Sequence, residues 1–131
     1  MLIPCEVAVK CALPAIRAVL AKELVTKHDL KQAQAARLLG VSQPAISLYC
    51  REIRGKAIDL ESDPEITKLM EELATSLTKV MSRKDFIVKF CEICRTLRAK
   101  GLMCSLHKSF DPSIDIEKCE LCITTSTIRC T

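Results

Sequence analysis

The stretch DLKQAQAARLLGVSQPAISLYCR, residues 29–51, constrains the fold more than any other part of the chain. Gly40 divides it into two short helical patterns, and a glycine there supplies the positive φ that a tight turn between helices requires. Four residues earlier, Ala36 is small enough to let the second helix approach the first. Val41 and Ile46 then close a core between the two. Ser42 is placed to cap the second helix, and Pro44 falls in its first turn, where no ladder hydrogen bond is lost. The expectation is a helix-turn-helix whose second helix runs from Gln43 to about Ile53 and is stopped by Gly55.

The order small-x-x-x-Gly-Val-Ser-x-x-x-Ile, carried by Ala36, Gly40, Val41, Ser42 and Ile46, resembles the Cro-like (XRE) repressor family. The resemblance implies a module that docks its second helix on duplex DNA. An ordinary helical bundle can also join amphipathic helices through glycine, but it does not account for the Ser-Gln-Pro helix opening. Taken whole, the chain is similar to an archaeal family of small regulators in which such a module is followed by a cysteine-rich tail. The residues carrying this second resemblance are Pro4-Cys5-Glu6, Leu13-Pro14-Ala15-Ile16-Arg17, and Phe90-Cys91-Glu92-Ile93-Cys94 through Cys104 to Cys119-x-x-Cys122.

The rest of the chain reads as helices, so the fold class is all-α. Residues Met1 to Leu13 have no clear period. Pro14 starts a helix running to about Lys27, with Ile16, Val19, Leu20 and Leu24 on one face. Asp29 is expected to cap the next helix, with Gln32 making the reciprocal contact and Ala33, Ala36 and Leu39 facing inward. Lys56 to Ser62 reads as a connector, and Asp63-Pro64-Glu65 as a strong helix start. Ile66, Leu69, Met70, Leu73, Leu77 and Val80 follow at spacings of three and four, the pattern of a buried seam. Such a seam covers either the chain's own core or its own copy, and the second alternative makes a homodimer the expectation. Ser82, with Asp85, caps a last long helix ending near Gly101. The division expected is a helix-turn-helix domain over 1–55, a helical connector and dimerisation region over 56–101, and a cysteine-rich tail over 102–131.

Nine cysteines need a physical reason. The apolar start is broken by Pro4, Glu6, Lys10, Pro14 and Arg17, which does not suit a secretory signal, and the longest uncharged run is too short to span a bilayer. A cytoplasmic location is therefore expected, where cysteines serve as metal ligands or redox thiols rather than as a disulfide framework. Cys91 and Cys94 lie three apart on the last helix, so both thiols should project from one side of it. Cys104 follows just past the helix end, and Cys119 and Cys122 repeat the two-residue gap. A tail with so few large apolar residues has little to fold around, and a metal centre would supply the missing cross-link. Cys5 and Cys11 have no partner at metal spacing and both are expected to pack; Cys50, inside the second helix, is expected to be buried, and no role is assigned to Cys130.

Zinc would take four thiolates, most simply Cys91, Cys94, Cys119 and Cys122, leaving over Cys104 or His107. Zinc ribbons commonly place Gly or Pro around each pair, and neither pair has one. An iron–sulfur cluster tolerates irregular spacing and would draw on Cys104 as well. The resemblance to the archaeal regulators implies the same, so a 4Fe–4S cluster is the expectation, with Zn2+ the alternative and a dithiol switch the third. His28 flanks a helix start and is expected to be solvated.

Several function classes fall away. Aromatic residues make up only 3% of the chain and Trp is absent, which leaves no platform for stacking single-stranded bases. There is no Gly-rich phosphate loop, no nucleophile with a recognisable base and no metal-binding His-Glu pair, so no enzyme is expected. A net charge of +4 suits a duplex binder whose cations gather on one face. The reading is a transcription regulator that senses redox, iron or sulfur status through its cluster. Gln43 and Ser47 would meet base edges and Leu48 a thymine methyl, at a helix opened by Ser42 and Pro44. Arg51, Arg54 and Lys56 would hold phosphates. A zinc-stapled DNA-binding or interaction module without sensing, and a cluster carrier or thiol oxidoreductase, are the alternatives.

Overall fold

The computed structural model describes residues 6, 8–51, 60–102, 104 and 108, and every regular element among them is a helix. A π-helical turn, Ala8–Ala12, leads without a break into α1, Leu13–Thr26. Then come α2, Gln32–Leu39, and α3, Gln43–Cys50, followed by α4, Pro64–Leu77, and α5, Arg83–Ala99. The opening turn was not legible as helix. Its buried residues, Ala8, Cys11 and Ala12, are small and leave little periodic signal.

Helix α1 is the hub. It packs against α2, α3 and α4, and it buries Ile16, Leu20 and Leu24 completely. Ala15, Ala18 and Ala21 are buried as well, so the helix presents small residues between its large ones and neighbours approach from several sides. Val19, expected on the apolar face, is only half-buried.

Helix α4 decides the fate of the expected seam. Asp63 caps it, its Oδ1 accepting from Glu65 N at 3.0 Å and Ile66 N at 3.2 Å. Ile66, Met70, Leu73, Ala74 and Leu77 are buried within one chain, against α1 and α5, while Leu69 is half-buried and Val80 fully exposed. The three-and-four spacing is thus a core face, not a surface held for a second copy. Leu73 and Leu77 are covered without any partner, and a lysine at either would enter the chain's own core.

Helix α5 starts where its sequence indicates, with Ser82 Oγ accepting from Asp85 N at 3.1 Å. Gly101, at φ 75°, ends it, and Leu102 N donates to Leu97 O at 3.1 Å. Three lysines tie the helices together at the surface. Lys22 reaches Glu61 at 3.3 Å, Lys27 reaches Glu71 at 3.2 Å, and Lys100 reaches Asp63 at 3.2 Å and Glu65 at 2.6 Å. Exposed pairs of this kind are screened by solvent and contribute little, so the apolar core carries the fold. Among the described residues no helix is long and apolar enough to cross a membrane.

A candidate nucleic-acid interface and the cysteine helix

Helices α2 and α3 are joined by a connection of three residues, and each of the three does a separate job. Gly40 takes the left-handed conformation, φ 68° and ψ 32°, and Val41 N donates back to Ala36 O at 3.0 Å, closing the end of α2. Ser42 then swings to an extended backbone, φ −78° and ψ 155°, and its Oγ accepts from Ala45 N at 3.2 Å. Pro44 sits in the first turn of α3, where its missing N–H has no ladder partner to lose.

The burial pattern gives α3 two different sides. Ala45, Ile46 and Tyr49 are buried against α1 and α2. Ser42, Gln43, Pro44 and Arg51 are exposed, and Ser47 and Leu48 are half-buried. The residues singled out as base readers therefore lie on the open side of α3 or along its edge. Arg54 and Lys56, expected beside them, lie outside the described residues, as do Ile53 and Gly55. Described helix ends at Cys50, with Arg51 as its cap.

Two features of α2 differ from the sequence reading. Its cap is Lys31, whose backbone N–H donates to Gln34 Oε1 at 3.0 Å, whereas Asp29 stands at φ 54° in the turn before it. Asp29 meets that backbone requirement because a short polar side chain tolerates the left-handed region. The buried face of α2 also differs: Ala35 is buried with Ala36 and Leu39, and Ala33 is exposed. Exposed Lys31, at the cap, and Arg37, on the helix, add two cations to α2 that carry no sequence motif.

The cysteines divide by environment. Cys11 is buried in the turn before α1, and burial pushes its thiol pKa up, with Lys10 opposing. Cys50 is half-buried on α3, and burial raises it too, with Lys22 opposing. Both are held in the neutral thiol form, as packing residues should be. On α5, Cys91 is exposed and Cys94 is buried, 9% exposed, so the two thiols expected on one open side differ in access. Cys104 is half-buried, with its Sγ 3.6 Å from where a Cβ on Gly101 would stand.

Among the described residues no three His, Cys, Asp or Glu side chains converge as a metal site. Cys91, Cys94 and Cys104 do not make one by themselves. Cys119, Cys122 and His107, which the expected site also draws on, lie outside the described residues, as do Cys5 and Cys130. What α5 offers a metal is one presented thiol and one covered thiol a turn away. The donor type suits zinc and iron–sulfur chemistry equally. His28, expected to be solvated, is half-buried. No protein-family model, no curated protein and no solved structure matches the chain.

Proposed function

We propose that the chain is a DNA-binding transcription regulator whose α2–α3 pair is a helix-turn-helix. One observation carries this reading: α3 is anchored by Ala45, Ile46 and Tyr49, while its capped opening, Ser42-Gln43-Pro44, faces outward. Core packing alone explains the buried side. It does not call for a polar, capped helix start left exposed, on a helix whose other end carries exposed Arg51.

In this reading Gln43 makes a bidentate contact to adenine, Ser47 a less discriminating one, and Leu48 meets a thymine methyl. Arg51, with Arg54 and Lys56 further along the sequence, holds phosphates and sets register. Two copies read a pseudo-palindromic duplex with half-sites about one helical turn apart. They associate through a surface other than the buried face of α4. Cys91, Cys94, Cys104, Cys119 and Cys122 are the ligand pool for a 4Fe–4S cluster, with Zn2+ the alternative. The repeated Cys-Glu-Ile-Cys and Cys-Glu-Leu-Cys segments support this pool. The cluster's state would inform the DNA-binding module, and the protein acts in the cytoplasm as a binding protein, not an enzyme.

Two substitutions test the docking. Gln43→Ala should cost about 1–3 kcal/mol at a selected operator and leave binding to random duplex nearly unchanged, because it removes a base contact and no charge. Arg51→Ala should weaken binding to every duplex and lower the salt slope by about one. Titrations at several salt concentrations against both duplexes distinguish the two. If both variants act alike on selected and random DNA, the docking is wrong.

A further inference from the structure

The guanidinium of Arg17 on α1 lies over the ring of Phe90 on α5, with Cζ 5.7 Å from the ring centroid. Phe90 in turn packs edge-on against Phe86, centroids 5.6 Å apart at 63°. We propose that this Arg17–Phe90 contact is a latch, holding α5 in the rotation that covers the Cys94 thiol.

Helix geometry links the two residues. Phe90 and Cys94 are four apart, so they lie on one side of α5, a turn from each other, and no rotation of the helix can move one without the other. Cys91 stands about a quarter-turn round from Phe90, and it is exposed where Cys94 is 9% exposed. For both sulfurs to reach one reagent, oxidant or metal centre, α5 has to roll so that the Cys94 side comes outward. The same roll takes Phe90 out from under Arg17. The cation–ring contact therefore opposes the rotation that pairs the two thiols.

The latch arginine belongs to α1, which packs on both α2 and α3. Thiol chemistry on α5 and the two-helix module thus meet on one helix. That connection to DNA rests on the function proposed above; the latch itself rests only on α1 and α5.

Alkylation kinetics test the latch without any DNA. The full-length protein, reduced and stripped of metal by chelation, is treated with N-ethylmaleimide, and modification of each cysteine is followed by peptide mass spectrometry. Cys91 should react fastest, Cys94 more slowly through opening of α5, and Cys11 slowest as a core residue. Arg17→Gln should speed Cys94 by about threefold or more, the range expected for losing a cation–ring contact, and leave Cys91 and Cys11 unchanged. Arg17→Lys keeps a cation over the ring and should restore most of the wild-type rate. The proposal is overturned if Cys94 reacts as fast as Cys91 in the wild type, or if Arg17→Gln leaves Cys94 within about twofold of it. It is equally overturned if Cys94 and Cys11 accelerate together, because that reports general loosening. None of these outcomes depends on whether α3 binds DNA.

Discussion

Gly40 is a position where the absence of one carbon sets a connection. Its φ of 68° lies in the left-handed region, and a Cβ built there would meet nothing within 4 Å. The cost of a side chain is therefore purely one of backbone conformation. Gly40→Ala should destabilise the protein by about 1–2 kcal/mol, and Gly40→Asn by less, since Asn tolerates this region. Thermal unfolding reads the order directly, and equal losses for both variants would mean that the left-handed backbone is not the source of the cost. The residues that fix this turn were legible in the sequence, because Gly, Ser and Pro act through their own backbone chemistry. Asp29 was not. A short acidic residue ahead of an apolar helix signals a cap, but the same polarity also suits a left-handed turn, and here the turn prevails, with Lys31 and Gln34 closing the helix. Tyr49 was missed for a related reason: its ring is buried by the approach of α1 and α2, which no local pattern announces.

At the scale of the element, period identifies a face but not what covers it. The α4 spacing marks a buried face, and what covers that face is α1 and α5 of the same chain. Val80 continues the arithmetic of that spacing but falls beyond the helix end at Leu77, and it is exposed. The start of α4 carries a testable pH dependence. The Ile66 N–H, with the Lys100 ammonium and the Glu65 N–H, holds the Asp63 carboxyl below its ordinary pKa despite some desolvation. A depressed folded pKa means that the unfolded chain takes up the proton first as pH falls. The contribution of Asp63 is thus complete above its unfolded pKa and is lost below about pH 4, as pH passes down through the folded value. Asp63→Asn keeps a capping side chain and removes the titration. In urea unfolding from pH 7 to pH 2, the variant should lose less stability than the wild type across the acid end of the series. Parallel curves for the two proteins would mean that Asp63 caps the helix but does not couple it to pH.

At the scale of the whole molecule, the division of labour between apolar core and cysteines makes one last prediction. Helices α1, α3, α4 and α5 bury their own large side chains, among them Ile16, Leu20, Ile46, Met70, Ile93 and Leu97. Cys11 is part of that core, whereas Cys91 stands outside it. A metal centre drawn from Cys91, Cys94, Cys104, Cys119 and Cys122 would therefore staple the end of a body that already has reason to fold. Protein isolated without oxygen should be brown and contain iron and acid-labile sulfide, and its colour should bleach in air. Colourless protein with stoichiometric zinc would assign the site to zinc instead. With five candidate thiolates for a cluster that takes at most four, at least one Ser substitution in the pool should spare it. Removing the metal should leave most of the far-ultraviolet helical signal, because Cys94 is the one proposed ligand among the buried residues of α1 to α5 and the large buried side chains are not ligands. Collapse of that signal on chelation would instead make the cysteines part of the folding core, as in domains that are unfolded without metal.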